Sequence, residues 1–211
     1  MNKQTTDSDT GILGIDAGGT FTDLAFMSGD PLAIGARVKT PTLHDNLIET
    51  ITSGVDLILQ QVDRGRIRAV NLATTLATNA IVENKLRPMG LILIGYDADS
   101  VASARQKGEF GTELVFEIAG GHDDRGNEMA PLDETALRQA LEQLKGETEA
   151  LAISGYFSVR NTAHELRAKA VAQEMLPEVH ITCGHELVSD LNAIKRATTA
   201  SLNAGLIPIV M

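Results

Sequence analysis

The stretch of the chain best equipped for chemistry is Asp16-Ala17-Gly18-Gly19-Thr20-Phe21-Thr22-Asp23, an acid followed by two glycines and two spaced hydroxyls. Backbone N–H groups must come close to a nucleoside triphosphate, and a Cβ in the way blocks its oxygens. Gly18 and Gly19 remove that obstacle and tolerate φ angles that other residues avoid. Thr20 and Thr22 add hydroxyl donors. Asp16, at the carboxyl end of a strand, can hold magnesium through its water shell. The stretch is not a Walker loop, because Gly-Lys-Ser/Thr is missing. It is not a Rossmann fingerprint either, because no Gly-x-Gly-x-x-Gly opens a helix here. A ligand-free Gly-rich hairpin turn fits the same residues, and both readings stand.

A second cluster is Thr74-Thr75-Leu76-Ala77-Thr78-Asn79. It follows an apolar run and opens a short helix through Glu83. Its hydroxyls and free N–H groups belong at the carboxyl end of a strand, where open α/β sheets place ligands. Plain capping by Thr74 or Thr75 is the competing reading. Glu83, four positions after Asn79, can share a helix face with it. His122-Asp123-Asp124 has metal-ligand residue types, but two carboxylates in a Gly-flanked loop read as a solvated turn. Glu165, beside His164, suits the first turn of a helix. His44, His180 and His185 stand alone. Cys183 is the single cysteine and reads as a buried, reduced thiol, with no intrachain disulfide or thiolate cluster possible.

The elements that must position these residues follow from pattern. Residues 1–10 are a flexible polar tail. Strands at 11–16, 21–27 and 32–39, joined by short turns, make an antiparallel meander. Leu43, Leu47, Ile51, Val55, Ile58 and Val62 repeat at threes and fours, which predicts a helix opening at Pro41-Thr42, with Thr42 as N-cap and Asp45 in the first turn. It fails near Gly65, where Arg64-Gly65-Arg66-Ile67-Arg68 caps its end. Strands follow at 67–73 and 89–94. Residues 95–132 read as a surface excursion with one strand at 114–118. Asp133 caps a helix carrying Leu137, Leu141 and Leu144. A strand at 150–154, a helix at 162–175 capped by Asn161, a strand at 179–182 and a helix at 189–204 complete the chain. This order predicts a mixed sheet with helices on both faces, an RNase-H-like or actin-like half. The apolar run Leu206 to Met211 gives the expectation that the chain is a piece of a longer protein.

Composition narrows the function. A net charge of −10 opposes binding of nucleic acid, and two tyrosines, five phenylalanines and no tryptophan make no base-stacking platform. The start of the chain lacks the apolar core of a signal peptide, and no run approaches the roughly 18 apolar residues of a membrane helix. The expectation is a cytoplasmic protein without nucleic-acid or membrane partners.

Gly14-Ile15-Asp16-Ala17-Gly18-Gly19-Thr20-Phe21-Thr22-Asp23 resembles the opening motif of the hydantoinase/oxoprolinase family, and Thr74 to Glu83 resembles its second signature. Pro131-Leu132-Asp133, His164-Glu165 and Leu202-Asn203-Ala204 stand in the family's order. Leu72-Ala73 stand where His-Gly is usual, and Leu191-Asn192-Ala193-Ile194 replaces a segment with an acidic and an aromatic residue; Arg196 is kept. The resemblance implies an actin-like ATPase fold (α/β, RNase-H-like), with residues 11–188 as the N-terminal region and 189–211 opening a following ATPase domain. It implies ATP and Mg2+ as cofactors, a cyclic amide or carbonyl substrate activated by phosphorylation, and a partner subunit or C-terminal domain. Asp16 would be the magnesium-side carboxylate and a catalytic residue with Thr75. Gly18, Gly19, Thr20 and Thr22 would contact the phosphates, and Thr74 and Asn79 would line the cleft. The family's second phosphate loop lies beyond Met211, so the chain alone is expected to bind ATP weakly and turn over little. A small-molecule kinase of the same fold is one alternative. A non-catalytic nucleotide-binding module, motivated by Leu72-Ala73, is another.

Overall fold

Alternation builds the first strand: in β1 (Gly11–Ala17) Leu13, Ile15 and Ala17 are buried while Asp16 is exposed. β2 (Phe21–Ser28) and β3 (Ala33–Pro41) continue as the expected antiparallel meander. β4 (Ile67–Thr74) pairs parallel to β1 on its other side, giving the order β3-β2-β1-β4. The computed structural model describes residues 10–43 and 46–210. Its contacts form two compact units, Met1–Lys85 and Leu86–Met211.

In the first unit, α1 (Leu47–Leu59) packs Ile51, Val55 and Ile58 against Leu13, Ile15, Leu24 and Phe26. A Cβ at Gly54 would lie 2.5 Å from Leu24 Cδ1, so the glycine is what lets the helix lie this close. The helix starts later than its apolar spacing predicted. Pro41 ends β3, where a missing N–H costs little at a sheet edge. Asn46 is the cap, its Oδ1 accepting from Glu49 N at 3.0 Å, and Thr42 is occupied elsewhere. Asp45, His44 and the tail at 1–9 lie outside the described residues. The basic stretch does not cap α1. Arg64–Arg66 form a separate 3-10 turn, held by Gly65 N donating to Asp63 Oδ1 at 2.7 Å. α2 (Leu76–Val82) follows β4.

The second unit holds an all-parallel sheet of β5 (Met89–Ile94), β6 (Val115–Ile118), β7 (Ala150–Gly155) and β8 (His180–Cys183), ordered β6-β5-β7-β8. The eight strands among the described residues thus form two sheets rather than one. Every residue of β5 and β7 is buried, as strands covered on both faces must be. On one face Ile92, Ile94, Leu151 and Ile153 meet α4 (Glu134–Leu144) and α5 (Ala163–Met175). On the other, Leu91, Leu93 and Ala152 share a cluster with Val101 and Ala104 of α3 (Ala98–Gln106) and with Ala197, Ala200 and Ala204 of α7 (Ala193–Val210).

Two expectations fail here. Residues 95–132 are not a surface excursion: α3 lies within them, and Val101, Ala104, Phe110, Val115, Ile118 and His122 are buried. A nine-residue helix with only two buried side chains has too little periodicity to read from sequence. The last helix starts at 193 and continues through Pro208 instead of stopping at 204. It packs on β7, within the second unit. A one-turn α6 (Gly184–Leu187) follows β8.

Candidate functional site

The hairpin registers place Ala73, Asp16, Asp23 and Lys39 in one row across β4, β1, β2 and β3. The next row down is Asn71, Gly14, Ala25 and Arg37. These side chains point away from α1, because strand parity is fixed. They line an open cavity of about 740 Å³ on that face of the first sheet. Among the described residues, no hydrogen bond or ion pair engages the Asp16 carboxylate, which is exposed. Asp23, directly opposite, is bound by Lys39 Nζ at 2.8 and 3.2 Å.

At the end of the hairpin the loop is tightly closed. Gly18 N donates to Phe21 O at 3.0 Å, and a Cβ on Gly18 would stand 2.8 Å from that same oxygen. Thr42 braces the loop from below. Its backbone N donates to Thr20 O at 2.9 Å and its hydroxyl donates to Gly18 O at 2.8 Å. The Thr22 and Thr42 hydroxyls lie 3.0 Å apart, and since the Thr42 proton goes to Gly18 O, Thr22 is the donor between them. Thr22 therefore drops out of the expected phosphate contacts. Its side chain has the parity of Leu24 and Phe26, is fully buried, and supports the loop from the core side. Thr20 is exposed beside the glycines.

The second segment meets the first here. Thr74 Oγ1 and Thr75 N both donate to Ala17 O, at 3.1 and 3.3 Å. Thr75 occupies the N-cap position of α2, yet its side chain makes no capping bond, so capping does not account for it. Its hydroxyl accepts from Asn79 Nδ2 at 3.4 Å. A Cβ on Gly19 would lie 3.0 Å from Asn79 Nδ2, so loop and helix touch. The structure thus gathers Asp16, Gly18, Gly19, Thr20, Thr74, Thr75 and Asn79 around one corner of the first sheet. Asp23 and Lys39 belong to the same face and were not singled out from sequence. Counting outward from the loop would have found Asp23, because hairpin partners here sum to a constant. Glu83 is exposed and paired with Lys85 at 2.5 Å.

The polar residues of the second unit are otherwise engaged. Asp123 is a turn former, accepting from Arg125 N and Asn127 N, whereas His122 is buried and its ring lies against that of His164, tilted by 40° with centroids 4.4 Å apart. Burial, and then the neighbouring His164, hold His122 below its ordinary pKa. His164 Nδ1 accepts from Gly121 N at 3.0 Å, and Nε2 faces Glu128 Oε1 at 2.8 Å. Glu165 is not a solvated partner of the helix dipole. It is fully buried and accepts from Gly155 N at 2.6 Å and His185 N at 3.0 Å, with His185 Nδ1 at 2.5 Å. His185 is therefore not alone. Cys183 joins them as a group of metal-ligand types. The carboxylate is already saturated, however, and burial followed by Glu165 pushes the thiol up to about 12. This cluster is a clamp between α5, β7 and α6. Arg196 is a second pin: it is buried and donates from Nη2 to Gly155 O at 2.8 Å and from Nη1 to Asp190 O at 2.7 Å.

The fold is that of an α/β protein of the RNase-H-like, actin-like class, with sheets flanked by helices and a diglycine loop at the end of its first hairpin. The chain belongs to the hydantoinase/oxoprolinase family: residues 12–176 match the model of the hydantoinase/oxoprolinase N-terminal region. It is 33% identical to the caprolactamase subunit alpha of Pseudomonas jessenii, the match covering 94% of this chain and 31% of that protein. It is 27% identical to the acetophenone carboxylase gamma subunit of Aromatoleum aromaticum, covering 98% and 32%. Among solved structures, the ATP-dependent caprolactamase from Pseudomonas jessenii superposes with a TM-score of 0.71 at 30% identity, over 94% of this chain and 32% of that one. The nucleotide-free acetone carboxylase gives 0.73 at 20% identity, over 95% and 32%, which is a likeness of fold. The chain spans about a third of the length of these relatives. Among the described residues no helix is long and apolar enough to cross a membrane.

Proposed function

We propose that the chain is the phosphate-binding part of an ATP-dependent enzyme that activates a cyclic amide or carbonyl substrate. The observation that carries this is the meeting of Gly19 with Asn79 beside an unengaged Asp16, which brings both motif segments to one sheet corner. The names of two relatives, the ATP-dependent caprolactamase and the gamma subunit of acetophenone carboxylase, support ATP use and a lactam or ketone class of substrate.

The donor set fits a hydrated magnesium ion and a triphosphate: an exposed carboxylate without a partner, a second across the ladder, and a loop stripped of side chains. When bound, magnesium would neutralise phosphate charge. Asp16 would hold it, and the N–H groups of the 18–20 loop with the Thr20 hydroxyl would receive phosphate oxygens. Thr75, free of capping duty, and Asn79 would orient the transferred phosphoryl group, a catalytic role of electrostatic positioning. In that reaction the bond from the terminal phosphorus to ADP breaks and a bond to the substrate oxygen forms. Ring opening or carboxylation would follow with a partner subunit or a further domain, and residues 189–211 would lead into that domain.

Calorimetric titration with Mg–ATP tests this. Binding is expected for the chain and is lost or weakened about tenfold or more in Asp16→Asn, as expected when a charge-assisted contact goes. Equal affinity of the two, with folding intact, would overturn the assignment of Asp16. Phosphate release by the longer enzyme, stimulated by a lactam and not by a sugar, would separate this reading from a small-molecule kinase.

A further inference from the structure

We infer that the β3 edge of the cavity is its anion-receiving side. Lys39, with Arg37 two residues before it, meets the terminal phosphate, and Asp23 is the positioning residue that holds Lys39 ready. The inference rests on the phosphate-loop reading above and adds the residues that discriminate triphosphate from diphosphate.

Charge makes such an edge necessary. The chain carries −10, and two carboxylates, Asp16 and Asp23, stand opposite each other in the register and both line the cavity. A polyphosphate is repelled there unless cations stand close by. The sheet supplies two, both on β3 and both lining the cavity. Register sets Lys39 opposite Asp23 and Arg37 opposite Ala25.

The pairing is also of the right kind. Lys39 Nζ reaches both oxygens of Asp23, which neutralises one carboxylate of the facing pair and leaves Asp16 as the unengaged one. The same ammonium lies 5.0 Å from the centroid of the Phe21 ring, one residue past Thr20, so it sits at the loop end of the strand. Both partners are more than half exposed, at 57% and 56%. An exposed pair of this type is held weakly, so Lys39 can exchange a carboxylate for a phosphate oxygen at little cost. Arg37 has no hydrogen-bond or ion-pair partner among the described residues.

The test is equilibrium binding of Mg–ATP and Mg–ADP to the whole chain, comparing wild type with Lys39→Gln, Lys39→Arg and Asp23→Asn. Lys145→Gln, in the second unit and not among the residues lining the cavity, makes the same change in net charge. Lys39→Gln is expected to weaken Mg–ATP about tenfold and Mg–ADP by less than about twofold, because only the terminal phosphate loses a charge-assisted bond. Lys39→Arg should keep most of the discrimination, Asp23→Asn should fall between, and Lys145→Gln should match wild type. An unchanged ATP-to-ADP ratio in Lys39→Gln, with wild type binding normally, overturns the inference and leaves the loop reading standing. Wild type that binds neither nucleotide overturns the loop reading and this inference with it. A purely structural ion pair would shift the unfolding midpoint of Lys39→Gln without touching the ratio.

Discussion

Replacing Thr42 by valine removes one oxygen from beneath the loop and leaves the side chain nearly the same size. Two contacts vanish: the bond to Gly18 O at 2.8 Å and the partner of the Thr22 hydroxyl at 3.0 Å. They are not equivalent. Gly18 is only half-buried, so water can replace the lost donor, whereas Thr22 is fully buried and its hydroxyl is left with no acceptor. A stranded buried hydroxyl costs about 1–3 kcal/mol, and that should be the loss in unfolding free energy of the first unit. The backbone bond from Thr42 N to Thr20 O survives, so the strand end stays in place and only the loop loosens. Urea unfolding should show a lower midpoint at unchanged slope, with Mg–ATP affinity falling in parallel and Thr42→Ser restoring both. The double change Thr22→Val with Thr42→Val should be less destabilising than the sum of the singles, because neither hydroxyl is then stranded. Strict additivity, or a Thr42→Val protein within about 0.5 kcal/mol of wild type, would refute the hydroxyl chain as the loop's support.

Two further outcomes concern the second unit. His122 is held below its ordinary pKa, so between pH 6.5 and lower values the unfolded chain takes up a proton that the folded one resists. Stability from this residue is present above about pH 6.5 and declines as pH falls, and His122→Phe should flatten that slope in urea midpoints taken from pH 7.5 to 5. A slope unchanged by the substitution would exclude His122 as its source. Cys183 is buried with its thiol raised to about 12, so labelling by a thiol reagent at pH 8 should proceed only as fast as the unit opens. Rapid labelling without denaturant would contradict the burial of Cys183 at the end of β8, beside the clamp of α5, β7 and α6.

Much of the first unit could be read from the residues because its periods are short. The meander, the diglycine turn and the exposed Asp16 all follow from counting by twos along β1 and β2. The same count, taken further, places Thr22 in the core and Asp23 in the cavity, and there residue type misled where parity would not. Thr42 shows a different limit. A threonine before an amphipathic run has the same sequence signature whether it caps a helix or threads a hydroxyl under a distant loop. Only the contact with Gly18, 24 positions away, decides. Glu165 and His185 were missed for the same reason: their partnership spans 20 positions and two elements. The parallel strands stood out as apolar runs, yet apolarity does not say which sheet a strand joins, so two sheets looked like one.

The buried apolar cluster of the first unit lies between its sheet and α1, while the second sheet has a cluster on each side. A sheet whose described apolar cluster lies on one side relies more on what settles on the other. Whatever fills the cavity then serves as an extra layer of the architecture as well as cargo, and its binding stabilises the folded strands beneath by mass action, more so as its concentration rises above its dissociation constant. Melting of the first unit should therefore report occupancy more sharply than melting of the second.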